Sequence, residues 1–182
     1  MKRGVFLDRD GTIIEEKVYL HRPEEVVIFP KAAQALKQLQ SAGFLLFIVT
    51  NQSGVGRGYF RMDDVNRVHA HLLQKLAEHE VHFTQVYVAP EAPDQLIHGR
   101  KPSPKLLFEA REEFEVDLSK SYMIGDKMVD LECGWNAGVK KSILVCTGYG
   151  AELAKTGDAA LRRALIVDDL GAAAQWIIQR PT

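Results

Sequence analysis

Short apolar runs alternate along the chain with longer stretches in which apolar residues recur every three or four positions. The short runs have the length of buried strands, and the longer stretches have the spacing of amphipathic helices. Strands are predicted at 5–8, 44–49, 85–88, 122–124, 142–146 and 164–167, and helices at 31–42, 63–79, 104–114, 127–137 and 169–179. This alternation predicts an α/β fold with a mostly parallel sheet and helices on both faces.

Two carboxylates follow the first strand directly, in the string Asp8-Arg9-Asp10-Gly11-Thr12. Gly11 allows the chain to turn at once, so that Asp8 ends the strand and Asp10 lies on the turn. Two carboxylates this close repel each other unless a cation or a shared proton holds them together. The pattern therefore predicts a site for a divalent metal ion.

Three further segments place polar side chains where a strand ends or a helix begins. Thr50-Asn51-Gln52-Ser53-Gly54 follows the second strand, Arg100-Lys101-Pro102 precedes a helix, and Gly125-Asp126-Lys127 follows the strand 122–124. In an open α/β sheet, ligands bind beyond the carboxyl ends of the strands. We therefore expect these separate segments to meet in one site.

Composition narrows the possible classes of function. The 182 residues suit one domain, 1–182, with a full core, and the formal net charge of −1 gives no basic excess for binding nucleic acid. The first strand begins close to Met1, which leaves no room for a signal peptide, and no stretch approaches the length of a membrane span. We expect a cytoplasmic monomer that acts on a small molecule.

The order of the motifs (DxDGT, a strand-end Thr, a Lys before a helix, and GDxxxD) resembles that of the haloacid dehalogenase (HAD) superfamily of phosphatases. The longer strings LDRDGT, TNQSGVGRG, RKP and GDK resemble its D,D-heptose 1,7-bisphosphate phosphatase and histidinol-phosphatase branch. The resemblance runs from Val5 to about Gly148. It implies a single Rossmann-like domain, and the spacing of the motifs leaves no room for a separate cap domain.

Matched residue by residue, the resemblance implies hydrolysis through an aspartyl-phosphate. Asp8 would be the nucleophile, and Asp10 would be the general acid and later the base for the attacking water. The carboxylates of Asp8 and Asp126 and the backbone carbonyl of Asp10 would hold a metal ion, and such a set of oxygen ligands suits Mg²⁺. Thr50 and Lys101 would bind the phosphoryl oxygens.

The same match implies that short loops at 15–22, 53–58 and 89–101 form the substrate pocket. The candidates for substrate binding are Glu16, Tyr19, Thr50, Asn51, Gln52, Ser53, Arg100, Lys101 and Lys127. A guanidinium at Arg100, beside the catalytic lysine, suits a second phosphate on the same molecule.

The function that this match implies is Mg²⁺-dependent removal of the 7-phosphate of D-glycero-D-manno-heptose 1,7-bisphosphate. The alternatives are a histidinol-phosphate phosphatase, a broad sugar-phosphate phosphatase and, from another class, a binding module without activity on the same fold.

The chain departs from this branch in the loop before Arg100. Relatives usually carry a structural zinc there, with ligands in a C-x-H…C-x-C pattern, whereas the aligned positions here are Ala89, Glu91, Ile97 and Gly99. These four residues cannot form that site, so we expect no structural zinc and a loop held by its prolines and its packing.

Two other features are a further acidic residue after the strand 122–124 and a pair of histidines on a predicted helix. Asp130 follows Asp126 by four residues and is expected to orient water molecules on the metal, with a helix-capping or surface role as the alternative. His69 and His71 lie two residues apart on a predicted helix and therefore diverge, so we expect both to be solvated or loosely packed.

Overall fold

Six parallel strands form the centre of the molecule in a computed structural model that describes residues 1–96 and 98–180. The strands are β1 (Arg3–Leu7), β2 (Phe44–Asn51), β3 (Gln85–Ala89), β4 (Tyr122–Gly125), β5 (Lys141–Val145) and β6 (Leu165–Val167), in the spatial order β3-β2-β1-β4-β5-β6. The described helices are α1 (Ala32–Ser41), α2 (Ser53–Gly56), α3 (Met62–Ala77), α4 (Lys105–Phe114), α5 (Met128–Ala137), α6 (Gly150–Lys155) and α7 (Leu170–Ile178). The prediction of a single α/β domain with a parallel sheet is confirmed.

The order of the strands places a crevice between β1 and β4. The chain first moves outward from β1 to β2 and β3, then returns to place β4 on the other side of β1. Leu7 at the end of β1 pairs with Ile48 of β2 and with Ile124 of β4. Where strand order reverses in this way, the loops that follow the strands separate and leave room for a ligand.

Apolar side chains cover both faces of the sheet. One core lies under α1, α3 and α7 and includes Val5, Leu7, Leu36 and Leu72. The opposite core lies under α4 and α5 and includes Phe6, whose ring stacks on another phenylalanine of the sheet at 4.9 Å. Successive strand residues point to opposite faces, so each strand contributes to both cores. Within the described residues, no additional domain is inserted between the strands.

The structure differs from the sequence-based prediction mainly at the ends of elements. β1 ends at Leu7 rather than Asp8, although the Asp8 amide still donates to the Ile124 carbonyl across the sheet (2.9 Å). β2 continues through Asn51, two residues beyond its predicted end. The short helices α2 and α6 were not predicted, because four and six residues are too few to show a helical period.

Candidate active site

The polar segments predicted to meet do meet, at the carboxyl ends of β1, β2 and β4. They surround a cavity of about 490 Å³. Its lining includes these candidate residues: Asp8, Asp10, Glu16, Tyr19, Asn51, Gln52, Ser53, Arg100, Lys101 and Lys127. The other two candidates, Thr50 and Asp126, are buried behind the lining residues. Thr50 accepts a hydrogen bond from the side chain of Gln52 (2.8 Å), and Asp126 accepts one from the backbone N–H of Tyr149 (2.9 Å).

Lys101 lies at the centre of a buried charge cluster and is only 2% exposed. Its Nζ is 2.9 Å from Asp8 Oδ1 and 2.6 Å from Asp130 Oδ1, and it donates to the Val49 carbonyl (2.6 Å). Burial favours the neutral amine, but the charges of Asp130 and Asp8 outweigh it and raise the pKa of Lys101. The ammonium is therefore charged and held beside Asp8.

Asn51 and Asp130 both serve to place Lys101. The side-chain amide of Asn51 accepts from the Lys101 backbone N–H (2.9 Å) and donates to its carbonyl (3.2 Å). Asp130 is fully buried, and its Oδ2 accepts from the Lys127 N–H (2.9 Å) at the start of α5 while its Oδ1 faces Lys101. Asp130 thus caps α5, the alternative role that the sequence left open, and forms an ion pair with Lys101 through its other oxygen.

Asp10 is held by three donors that the sequence analysis did not identify as a group. Arg9 donates from Nε to Asp10 Oδ2 (3.0 Å) and from Nη2 to Oδ1 (3.1 Å), and Gln52 Nε2 also donates to Oδ2 (3.0 Å). The third nitrogen of Arg9, Nη1, is 3.0 Å from Nε2 of His69 on α3. His69 is 6% exposed, so the expectation of a solvated or loosely packed histidine is wrong for this residue.

Asp126 follows β4 and is completely buried. Its Oδ2 accepts from the backbone N–H of Tyr149, whereas its Oδ1 is buried without a hydrogen-bond partner. Burial, together with the negative charge of Asp8, raises the pKa of Asp126 to about 7. A buried carboxylate oxygen without a partner is costly, and a cation would remove that cost.

The residues around Asp126 fit a divalent cation. One carboxylate oxygen from each of Asp8, Asp126 and Asp130 lies within 4.8 Å of the others, and this is the one such cluster of acidic, histidine or cysteine side chains in the described part of the chain. A Cβ on Gly11 or Gly148 would lie 2.1 or 2.2 Å from Asp126 Oδ2, and both glycines have positive φ. The backbone therefore approaches Asp126 as closely as only glycine permits.

The loop that follows β1 forms one wall of the cavity through Glu16 and Tyr19. Lys127 Nζ is 2.6 Å from Glu16 Oε2 and lies 4.9 Å from the ring centre of Tyr149. Tyr19 has a positive φ of 58° and packs edge-on against Tyr59, with ring centres 4.8 Å apart. Burial raises the pKa of Glu16 although Lys127 opposes the shift.

Arg100 also lines the cavity, and Glu91 contacts it from within the same loop, the one that departs from the zinc pattern. Arg100 Nη1 donates to the Glu91 carbonyl (3.1 Å), and Glu91 Oε1 accepts from the backbone N–H groups of His98 (2.9 Å) and Gly99 (3.0 Å). A carboxylate thus cross-links the loop, a contact that the sequence analysis did not predict. Ile97, one of the aligned positions, lies outside the described residues.

Arg9, His69 and Tyr149 are the site residues that the sequence analysis missed. Arg9 lies between Asp8 and Asp10, and this position indicated that it is close to the site. The same string is equally compatible with an arginine side chain that points into solvent. His69 is 60 positions from Arg9 along the chain, and nothing in its local sequence distinguishes it from His71. Tyr149 binds Asp126 through its backbone, which no side-chain pattern reveals.

Comparison with known proteins finds relatives among the heptose bisphosphate phosphatases. A model of the HAD-hydrolase-like family matches residues 98–173. The D-glycero-D-manno-heptose-1,7-bisphosphate 7-phosphatase of Chlorobaculum tepidum is 42% identical over 161 residues, which cover 81% of this chain and 80% of that protein. The D-glycero-beta-D-manno-heptose-1,7-bisphosphate 7-phosphatase of Pasteurella multocida is 36% identical over 154 residues, or 81% and 84% of the two chains.

A solved structure extends this similarity to the fold. The D,D-heptose 1,7-bisphosphate phosphatase of B. bronchiseptica, crystallised with magnesium and phosphate, superposes with a TM-score of 0.89 at 30% identity, over 97% of this chain and 98% of that one. Among the described residues, no helix combines the length and apolar character that crossing a membrane requires.

Proposed function

Because the chain belongs to the HAD superfamily, in its heptose bisphosphate phosphatase branch, and is therefore a phosphatase, we propose that it removes the 7-phosphate of D-glycero-D-manno-heptose 1,7-bisphosphate. The observation that carries this substrate is the pair Arg100 and Lys101, two adjacent cations that line the same cavity. One cation serves the phosphate that is transferred, and the other serves a second phosphate on the same molecule.

Asp8 begins the reaction as the nucleophile. One carboxylate oxygen attacks phosphorus, the bond between phosphorus and the sugar oxygen breaks, and its electron pair leaves with that oxygen, which takes a proton from the Asp10 carboxyl. Lys101 Nζ and the Arg9 N–H both contact Asp8 Oδ1 and so fix the plane of the attacking carboxylate. Lys101 also offers positive charge to the phosphoryl oxygens, and the hydroxyl of Thr50 offers them a hydrogen bond.

Asp10 completes the second step as a base. Water attacks the phosphorus of the aspartyl-phosphate and gives its proton to the Asp10 carboxylate, so that phosphate leaves and the Asp8 carboxylate is restored. Gln52 links the two parts of the site, because its amide donates both to Asp10 and to Thr50.

We assign Mg²⁺ to the carboxylates of Asp8 and Asp126, together with the backbone carbonyl of Asp10 that the family resemblance implies. When bound, it would neutralise the repulsion between Asp8 and the incoming phosphate and polarise the phosphoryl oxygens. The Oδ1 of Asp126 supports this assignment, because it is buried without a hydrogen-bond partner and its nearest cation, Lys127 Nζ, is 4.0 Å away.

The direct test of the mechanism is Asp8→Asn. The amide cannot attack phosphorus, so we expect turnover of every substrate to disappear while the melting temperature of the metal-free protein stays within a few degrees. Radiolabelled phosphate should remain bound to acid-quenched wild-type protein and not to the variant. Full activity in Asp8→Asn would refute the nucleophile.

The test of the substrate is Arg100→Ala, assayed on a panel of bisphosphates and monophosphates. Loss of a bidentate, charge-assisted contact costs about 1.5–3 kcal/mol, or roughly ten- to a hundredfold in kcat/KM, and the loss should fall on the bisphosphate alone. Lys101→Ala should harm all substrates. The contact of Arg100 with the Glu91 carbonyl offers the alternative that it only holds the loop, in which case mono- and bisphosphates would suffer equally and the bisphosphate assignment would fail.

The same panel separates the other candidates. A wild-type preference for histidinol phosphate, or similar kcat/KM values for many sugar phosphates, would replace the heptose bisphosphate by that alternative without affecting the mechanism.

A further inference from the structure

A buried row of side chains leads from α3 to the proposed acid of the reaction. His69 contacts Arg9, and Arg9 in turn contacts both oxygens of Asp10. Arg9 is 1% exposed, although an arginine is rarely buried without partners for its donors. His69 lies on the buried face of α3, in line with Val65 and Leu72, and it does not line the cavity.

The chemistry of the contact determines the state of His69. A guanidinium can only donate, so Nε2 of His69 must accept from Arg9 Nη1 and the ring proton must be on Nδ1. Burial and the charge of Arg9 lower the pKa of His69 to about 3. The ring is therefore neutral at physiological pH and is a permanent acceptor for Arg9.

The planar guanidinium transmits this contact to Asp10. Nε and Nη2 form a two-point contact with the carboxyl, at 3.0 and 3.1 Å, while Nη1 on the far side is held by His69. A two-point contact fixes the plane of the carboxyl only if the guanidinium itself cannot rotate. His69 supplies that constraint from a helix that packs on the sheet.

We propose that His69 is a positioning residue: acting through Arg9, it orients the Asp10 carboxyl so that its proton reaches the leaving oxygen. The inference rests on the proposed function, in which the bond between phosphorus and the leaving oxygen breaks and that oxygen takes the proton of Asp10. A misplacement of about 1 Å at a reacting group can cost on the order of a hundredfold in rate.

The test exploits the leaving group. Three phosphate esters form a series in which the leaving group depends increasingly on a proton. In p-nitrophenyl phosphate the leaving group needs no proton, phenyl phosphate is intermediate, and in the alkyl ester glycerol 2-phosphate the leaving alkoxide needs a proton most. The quantity kcat/KM covers the steps up to departure of the leaving group, so it excludes the later hydrolysis of the aspartyl-phosphate. It therefore isolates the step in which Asp10 acts as an acid.

We expect His69→Leu to lower kcat/KM by about 10- to 100-fold for the alkyl phosphate and by less than about threefold for p-nitrophenyl phosphate. His69→Gln keeps an acceptor near the position of Nε2 and should restore most of the loss, whereas His69→Asn is too short and should not. His71→Ala, two residues along the same helix, is the matched control and should leave the whole series unchanged. If His69→Leu fails to fold, the contrast between the Gln and Asn variants carries the test.

Equal losses across the series, or no loss, would overturn the inference, because a residue that only stabilises the fold has no reason to distinguish leaving groups. Asp10→Asn separates this failure from failure of the proposed function. If Asp10→Asn shows the leaving-group dependence and His69→Leu does not, only the positioning role is refuted. If Asp10→Asn shows no such dependence, the acid assignment itself fails and the inference fails with it.

Discussion

Replacement of Lys101 by methionine tests the charge cluster on which the site depends. Met has similar length and no charge, so Lys101→Met removes an ammonium that lies 2.9 Å from Asp8 and 2.6 Å from Asp130 without leaving a large cavity. The side chains of the two carboxylates are 7% and 0% exposed, so water cannot replace the lost cation. Two buried negative charges would then face each other.

The expected cost follows from this burial. Removing one partner of a buried ion pair destabilises a protein by about 3–5 kcal/mol, because the remaining charge is left unpaired. For a chain of this size that corresponds to a fall in melting temperature of about 6–20 °C. Loss of positive charge at the phosphoryl group should also lower kcat/KM by about a hundredfold or more for every substrate.

The assay is denaturant unfolding in EDTA, which prevents a metal ion from neutralising the carboxylates. Lys101→Met combined with Asp130→Asn should recover part of the lost stability, since the double variant buries one negative charge fewer. Lys105→Met is the control, because Lys105 is exposed and its contact with Glu109 is 3.9 Å, so its effect should stay within about 0.5 kcal/mol. An unfolding free energy for Lys101→Met equal to that of the control would refute the reasoning.

Three further predictions concern the metal site and the loop. The pKa of Asp126 is raised to about 7 from an ordinary 3.8, so in EDTA its protonated carboxyl stabilises the folded state below pH 4, and this stabilisation is lost as pH rises through 7. Asp126→Asn should flatten this part of the pH profile of the unfolding free energy, and an unchanged profile would contradict the prediction. Gly148→Ala should push Asp126 aside and weaken Mg²⁺ binding measured by calorimetry, whereas Gly138→Ala, where φ is also positive but nothing lies within 4 Å, should leave it unchanged. Glu91→Ala should lower the unfolding free energy by about 1–3 kcal/mol, because two backbone N–H groups lose their acceptor. Glu91→Gln should lower it by less, because glutamine retains an acceptor oxygen at Oε1. Equal losses in the two variants would exclude the cross-link.

Local pattern was enough to predict the sheet and the position of the site. Each strand is a short apolar run, and the polar residues of the site follow directly after these runs, so their placement at one edge of a parallel sheet required no knowledge of side-chain contacts. The same reasoning could not predict α6, Gly150–Lys155, because a helix of six residues is too short to show a helical period in the sequence. β1 ends one residue before its predicted end, and β2 continues two residues beyond its own because Thr50 and Asn51 still pair with β3.

The sequence by itself determined which residues are candidates for the chemistry, and only the tertiary structure decided how they are held. Asp8, Asp10 and Asp126 are recognisable because each is adjacent along the chain to the strand that places it. The contacts of His69 with Arg9, of Asp130 with Lys101 and of Glu91 with the backbone of its loop were invisible or misread. Two of these contacts join residues that are tens of positions apart, and the third closes a loop whose sequence shows no period. Their geometry depends on how helices and loops pack on the sheet, and that packing is a property of the whole chain rather than of any local string.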